Sequence, residues 1–569
     1  MTTNQSLPGS PNLKQIVWAR ATRPWQLNFG SAASQRRLVP DPRCFRYYGR
    51  LDSEHNPSPP SSAAPALINY LVPSVADLLF IILLASLSIG ALAPRLLGDA
   101  GIGWHIRNGE IMLQTHAVTR ADPFSSTMNG RPWYAWEWLY DVGIAAVHHV
   151  AGLNGVVLVT AFVIALSFFL LFRFLLARGT DLPLAVLLLV LAVGGSAIHL
   201  LARPHVVSWL LTLVWFYLIE SSESAANSRR LYWLPVIMLL WTNVHGGFLM
   251  GFVLLAIYLV DALLYYRENR KLVGKLWVVA GLSFLATFVN PYGYGLHIHV
   301  YQYLSNRFLM NHIDEFASPN FHGVGQQCFL LLLLISIAAV AARRERVRTS
   351  HLLLMLFAAY SGLYASRNLP LSSMFLVLIA GPILSRAMAN GPRIFSRMHA
   401  FSERTAIVEA RSRAHLWPML AIVLAAVVFA GKGSFAGRQI MNAHFEGKRF
   451  PVEAAAAIET MGLPPTIFAP DYWGGYLIYR FYPRMRVVVD DRHDLYGETF
   501  LRQYLATIHL APDWMKLLDD NHVDWALLPA GSTLANALKQ SNWQVGFEDQ
   551  TSVLLERQGA RVEGNCCGN

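Results

Sequence analysis

Charge is what this chain has least of. Aspartate, glutamate, lysine and arginine make up only 14% of its 569 residues, against 54% hydrophobic, and the mean hydropathy is +0.36. A soluble domain averages about 25% charged residues, so a chain this long and this apolar is expected to be a polytopic membrane protein. Acids are the rarer sign, 35 against 46 Lys and Arg for a net +11. In a soluble protein that surplus would point to nucleic acid. Here the arginines gather in alternate connections between apolar segments, which is a topology signal, and nucleic acid is set aside as a partner. Cysteine is nearly absent: Cys44, Cys328 and the adjacent Cys566 and Cys567 have neither metal nor disulfide spacing, so no disulfide framework is expected. Metal-binding histidine pairs are missing too, since His297 and His299 fall on different sides of a helix and no His-x-x-x-His occurs. No charged start, short apolar core and cleavage site precede residue 75, so the first spanning helix is expected to act as its own signal. The lack of an internal repeat speaks against an inverted-repeat transporter.

What the chain does have is apolar length. Stretches of roughly 17–25 residues, the length of a bilayer core, recur as about eleven candidate spans, two of them short. They lie near 76–94, 153–177, 182–200, 205–221, 232–244, 246–265, 275–290, 327–342, 351–366, 370–387 and 415–431. Asn243, His245, Gly246 and Gly247 favour a break between the fifth and sixth over one long helix. Residues 1–74, rich in Ser, Pro, Arg and Asn, read as a disordered cytoplasmic tail. With that tail inside, every inward connection is basic, from Arg173 and Arg178 through Arg229 and Arg230, residues 267–275 and 343–348, to 386–413, as Lys and Arg bias requires. The outward connections are 95–152, 201–205, 243–247, 290–315 and 366–368, and they hold all the unusual polar motifs. After a transmembrane region over 75–431, an odd number of spans leaves 432–569 outside as a periplasmic domain. There, buried strands are expected at 466–469, 486–489 and 524–528, alternating with helices at 451–461, 474–482, 499–509 and 533–541. That alternation predicts a parallel sheet with ligands at its carboxyl ends. The fold class is thus a polytopic α-helical membrane protein with a small C-terminal α/β extracytoplasmic domain.

The first outward loop has the densest chemistry. Asp99 follows the first span, where a carboxylate just above the hydrocarbon either accepts a proton from an attacking hydroxyl or amine or simply ends the helix in water. Residues 103–110 form a short helix expected to lie in the membrane interface; His105 there is either a base or phosphate donor, or a hydrogen-bonded anchor. Glu137, between Trp136 and Trp138, suits a sugar-facing acid or a partner for Arg131, and Trp133, Trp136 and Trp138 match an aromatic belt. Arg203 and Arg367, at helix ends beside Pro204 and Pro370, fit a phosphate fork or interfacial snorkelling. His205, Asn243, His245 and Asn290 either complete a polar floor or satisfy the backbone of broken helices. Asp490, Asp491 and Asp494 either bind a cation or sugar hydroxyls, or cap the next helix.

An acid directly after the first helix, about eleven spans and an outward C-terminal α/β domain resemble the GT-C superfamily of integral-membrane glycosyltransferases. A closer resemblance is to a group of bacterial polytopic membrane proteins without an assigned reaction. It is carried by Asp99-x-Gly101-x-Gly103-Trp104-His105-Ile106-Arg107-x-Gly109-Glu110, Asp122-Pro123-Phe124-Ser125, Pro132-Trp133-x-Ala135-Trp136-Glu137-Trp138-Leu139, Arg203-Pro204-His205, Asn243-x-His245-Gly246-Gly247 and Asp471-Tyr472-Trp473-Gly474-Gly475, and covers most of 76–556. The resemblance implies transfer of a sugar from a polyprenyl-phosphate carrier to a glycan, lipid or protein acceptor at the periplasmic face of a bacterial inner membrane. It makes Asp99 the base, with His105 and Glu137 as helpers, and Arg203 or Arg367 the phosphate contact. Many superfamily members have two adjacent acids here, whereas Asp99 is followed by Ala100 and Gly101. No cofactor is therefore expected, and a divalent cation only weakly. The rival readings are a flippase for lipid-linked glycans, disfavoured because the charges sit at helix ends rather than mid-membrane, and a non-catalytic envelope scaffold.

Overall fold

The computed structural model describes residues 71–222, 228–343, 346–389, 391–411, 415–462 and 464–558. The disordered tail expected over 1–74 lies, up to residue 70, outside the described residues. The first helix, α1 (Val75–Ser88), starts on a reciprocal cap: Ser74 Oγ accepts from Asp77 N at 3.1 Å, while the Asp77 carboxylate accepts from Ser74 N at 3.0 Å, satisfying two amides that the first turn leaves open. After it come α2 (Gly101–Thr115), α3 (Trp138–Ala177), α4 (Leu182–Gly195), α5 (His205–Ser221), α6 (Leu234–Val244), α7 (Leu249–Leu264), α8 (Tyr266–Ala286), α9 (Gly295–Ser305), α10 (Val324–Ala342), α11 (Thr349–Tyr364), α12 (Leu369–Ala389), α13 (Arg393–Arg411) and α14 (Leu416–Ala430).

Each expected span falls on one of these helices. By length and composition, four stretches suffice to cross a membrane: Trp138–Ala177, Gly246–Leu264, Val324–Ala342 and Ser366–Ala389. Four further apolar helices, α1, α4, α5 and α14, are shorter. At 40 residues α3 outruns any bilayer, and Gly152 (φ 60°, ψ −155°) divides it where the span at 153–177 was expected to begin. The expected break after α6 falls at His245, whose extended backbone (φ −166°, ψ 144°) ends α6.

The outward loop is not the surface helix anticipated. Burial covers both faces of α2, including Ile102, Trp104, His105, Ile106, Asn108 and Met112, because glycines bring other backbones against it from two directions. A methyl at Gly109 would strike the Asp141 carbonyl in α3, and one at Gly103 would strike the carbonyl of Gly475. Gly475 belongs to α16 (Asp471–Phe481), which follows α15 (Val452–Met461) in the C-terminal part. The helix is therefore held between membrane helices and the C-terminal part rather than lying in an interface, and Arg107 donates to the Tyr479 carbonyl at 3.0 Å to close the seam.

In the C-terminal part, β1 (Thr466–Ile467) pairs in parallel with β2 (Arg486–Val487). The helix α17 (His493–Ile508) then leads towards β3 (Trp525–Pro529), α18 (Thr533–Lys539), β4 (Trp543–Glu548) and β5 (Ser552–Arg557). The bridge between Phe468 and Ala526 joins β1 to β3 in parallel. The expected all-parallel sheet is corrected at this point: β5 lies antiparallel between β3 and β4. The alternating strand–helix pattern stops after α18, and the last two strands form a hairpin that βαβ logic does not anticipate. On the other edge, residues of the first loop extend the sheet. Ser126 N donates to the Val487 carbonyl at 2.8 Å and Thr127 Oγ1 to the Val488 carbonyl at 2.7 Å.

Since a side chain on Gly475 would also press on the Ala100 carbonyl, Gly475→Ala should force the α2–α16 seam apart. The expected loss is about 1–3 kcal/mol, the usual range for overpacking, seen as a lower unfolding temperature of the full chain in detergent. Unchanged thermal stability would remove the close approach as a determinant of the docking.

Candidate active site

The expected outward connections converge at one end of the helices, and a guanidinium joins them. Arg203, on the turn before α5, places Nη2 2.9 Å from Asp99 Oδ1 and 2.5 Å from Asp491 Oδ2. Asp99 Oδ1 also accepts from Gly101 N at 2.7 Å, and among the described residues no hydrogen bond falls on its Oδ2. Trp104 Nε1 donates to Asp491 Oδ1 at 2.9 Å. Burial disfavours the ionised form of Asp491 and pushes its carboxyl up to about 6, although the Arg203 charge opposes the shift. The cluster is only partly sealed, with side chains of Arg203, Asp99 and Asp491 about 20%, 22% and 15% exposed.

Beneath it lies a second guanidinium that the sequence motifs pass over. Arg492 donates to Asp490 through Nε at 2.8 Å and Nη2 at 2.6 Å, and its Nη1 lies 2.8 Å from Asp122 Oδ1. Tyr496 donates to Asp490 as well, at 2.9 Å. All three charged groups are buried, and the guanidinium stands over the rings of Trp133, Phe124 and Trp104 at 4.5, 5.1 and 5.9 Å from their centroids. Trp133 is thus a partner of a buried cation and not part of an aromatic belt. Two carboxylates and three aromatic faces compensate the desolvation that would otherwise expel such a charge. The signal available in the sequence was an arginine two positions after Asp490, within reach of a local fork.

Glu137 faces two histidines and not Arg131, for which no ion pair occurs among the described residues. His105 is fully buried. Its Nδ1 meets Asp141 Oδ1 at 2.5 Å, and Asn108 donates to the other Asp141 oxygen at 2.7 Å. Burial holds the Asp141 carboxyl well above the usual carboxylate range, so one proton is shared across this short contact; Nε2 has no hydrogen-bond partner among the described residues and lies 3.8 Å from Glu137 Oε2. Burial, reinforced by the Arg203 charge, keeps His105 well below the usual histidine range and hence neutral. For His245 a backbone donor decides the tautomer. Gly247 N donates to its Nδ1 at 3.0 Å, so Nε2 carries the hydrogen and points to Glu137 Oε1 at 3.6 Å. Burial raises the Glu137 carboxyl to about 8, with Arg203 opposing, so near neutrality it is a neutral acid between two imidazole rings.

The remaining candidates divide. Arg367 stacks over Phe316 at 4.4 Å and has no ion pair within hydrogen-bonding reach among the described residues. Burial works against ionised Glu315, yet the charges of Arg367, His199, Arg203 and His493 together hold that carboxyl below its ordinary value. His205 gives Nε2 to the His199 carbonyl at 2.9 Å. Asn243 accepts from Trp138 Nε1 at 2.8 Å and donates to the carbonyls of Leu239 and Val289, which fastens a broken helix. Asn290 caps its own turn through the Thr287 and Gly293 carbonyls. Asp494 pairs with His299 at 3.1 Å, and Asp471 with His493 at 2.7 Å. Each acid therefore has its own partner, and no three His, Cys, Asp or Glu side chains among the described residues are placed to hold a metal ion. A cleft of about 710 Å³ between residues 302–312 and Glu498 and Arg502 is lined by none of these groups.

No protein-family model matches the chain, and no curated protein matches it either. Solved structures do. ArnT from Cupriavidus metallidurans, bound to undecaprenyl phosphate, is 13% identical with a TM-score of 0.45, over 88% of this chain and 99% of that one. The oligosaccharyltransferase of Archaeoglobus fulgidus in the apo form is 11% identical with a TM-score of 0.49, over 86% of this chain and 74% of that one. The oligosaccharyltransferase AglB from Archaeoglobus fulgidus, in complex with an inhibitory peptide and a dolichol phosphate, gives 11% identity and a TM-score of 0.48 over 86% of this chain and 74% of that one. At such identities the likeness is one of fold.

A folded-state carboxyl near 8 keeps its proton where the unfolded chain has released it, so Glu137 subtracts stability as pH rises from the ordinary glutamate range towards 8. Glu137→Gln, which cannot ionise, should therefore unfold at a higher temperature than the parent at pH 8 and at about the same temperature at pH 4.5, as scanning fluorimetry would read. A stability difference independent of pH would place the proton elsewhere.

Proposed function

We propose that the chain is an integral-membrane glycosyltransferase that takes a sugar from a polyprenyl-phosphate donor and passes it to an acceptor on the outer side of a bacterial inner membrane. The observation that carries this reading is the asymmetry of Asp99: Oδ1 is fixed by Arg203 and Gly101, which leaves Oδ2 as a fixed lone pair on the turn that leads into α2. Basic residues crowd the opposite end of the bundle, at Arg178, Arg229, Arg230, Arg348 and Arg393, which supports a cytoplasmic location for that end and for the N-terminus, with about eleven spans between. The part of the chain after α14 is then periplasmic.

In this reading the donor enters from the bilayer and its phosphate meets Arg367. Arg203 is the poorer phosphate ligand, because two carboxylates already occupy it, and its work is to hold Asp99. The acceptor hydroxyl or amine attacks the anomeric carbon and its proton passes to Asp99 Oδ2. The new bond to carbon forms as the carbon–oxygen bond to phosphate breaks, and the electron pair leaves on the phosphate, where Arg367 stabilises it. Neutral Glu137, with His105 and His245 on either side, offers one donor and one acceptor to sugar hydroxyls. Asp491 orients Arg203, His205 holds the turn beneath it, and Asn243 and Asp490 keep the walls of the site in place.

Asp99→Asn should lower transfer of a labelled polyprenyl-phosphate sugar by about 10²–10⁴-fold, the usual worth of a positioned general base, with membrane insertion and abundance unchanged. Arg367→Ala should weaken donor binding more than Arg203→Lys does. Full transfer by Asp99→Asn would discard the base assignment. Donor binding by the parent chain without turnover, over a panel of acceptors, would favour a flippase or an assembly scaffold instead.

A further inference from the structure

Helix α13 (Arg393–Arg411) takes no part in the site described above. It follows α12, which starts at the site end, and so it lies at the opposite end of the bundle. Three contacts fasten it there. His399 Nδ1 meets Asp181 Oδ1 at 2.8 Å, Ser402 Oγ accepts from Leu182 N at 2.8 Å, and Glu409 accepts from Val75 N at 2.8 Å. Asp181 and Leu182 open α4, and Val75 opens α1. The helix thus crosses the ends of apolar helices at the level where they begin.

Its remaining surface has two further sectors. With Ser402 taken as the direction of the protein and 100° per residue, His399 and Glu409 fall within about 60° of it, Ile394, Met398 and Phe401 about 40–100° round one side, and Arg393, Arg397 and Arg404 beyond them at about 140–180°. Ile394, Met398 and Phe401 are 67%, 43% and 52% exposed. The three arginines are exposed, and none has an ion pair among the described residues. An apolar stripe bordered by cations, on a helix fastened where apolar helices begin, has the form of a helix lying in a bilayer interface. Anionic headgroups complement that border and attract arginines near a membrane surface.

We infer that α13 seats Ile394, Met398 and Phe401 in the leaflet opposite the Asp99 site and binds anionic phospholipid headgroups through Arg393, Arg397 and Arg404. The occupant of the stripe is the bilayer itself, not a protein. This holds whether or not the chain transfers sugar.

Two measurements on the full-length chain test it. In a background with all four cysteines replaced by serine, a spin label at Phe401→Cys in phosphatidylglycerol-containing vesicles should be reached by oxygen and not by a water-soluble nickel chelate, while one at Arg404→Cys is reached by the chelate. Chelate access at 401 equal to that at 404 would put the stripe in water, and shielding of 401 from both reagents would mean that protein covers it; either result overturns the inference. In native mass spectrometry, phosphatidylglycerol affinity should fall about fivefold for each of Arg393→Gln, Arg397→Gln and Arg404→Gln, the worth of one arginine near an anionic surface, with phosphatidylcholine binding unchanged. Undiminished phosphatidylglycerol binding by the triple variant would overturn the headgroup contact.

Discussion

One positive charge shared by two negative ones fixes the relation between the halves of this protein. Arg203 comes from the turn before a membrane helix, Asp99 from the turn before α2, and Asp491 from the loop after β2. None of the three is stable alone in so enclosed a place, because a lone charge removed from water costs several kcal/mol. Each therefore depends on the other two, and the site exists only where three separate segments meet. The same logic is repeated one layer down, where Arg492 needs Asp490 from its own strand end and Asp122 from the first loop. Two ion-pair systems thus tie the loop to the sheet, and both would be lost if the C-terminal part moved away.

Glycine makes this meeting geometrically feasible. Gly103 and Gly475 allow α2 and α16 to touch backbone to backbone, Gly474 lets α16 pass the strand end that carries Asp490, and Gly101 leaves room for the Arg203 guanidinium against Asp491. The repeated Gly in the two motifs is thus a packing device: each removed side chain brings a charged group of one half within hydrogen-bonding reach of the other. The chemistry of the pocket follows from that closeness. Burial holds a proton on Glu137, and the hydrogen bonds made by Asp141 and Gly247 determine which nitrogen of His105 and of His245 faces it.

How much of this could be read in advance depended on range. Helix positions were legible because apolar length is a local property, and the break at His245 was legible because two glycines follow a polar pair. That the motifs gather at one end was legible from alternating basic connections. The partners were not. Nothing local says that Arg492 would also find Asp122 in the first loop, or that Glu137 would face His105 and His245 rather than the nearby Arg131, since those pairings join separate segments of the chain. The α2 stretch misled for a similar reason: its apolar face resembles that of a surface helix, and only the approach of Gly475 from the far end of the chain buries its other side. The antiparallel hairpin at the C-terminus escaped because its strands carry exposed as well as buried residues and no helix separates them.

The extension of the sheet by the first loop sets an order of events during synthesis. Ser126 and Thr127 find their strand partners in Val487 and Val488, residues that leave the ribosome only after every membrane helix has done so. Until then the loop has no edge to join, Asp122 has no cation, and Asp99 has Arg203 without Asp491. A nascent chain that stalls after its last membrane helix is therefore an inserted but unfinished protein, and the completed pocket reports that translation has reached the far end.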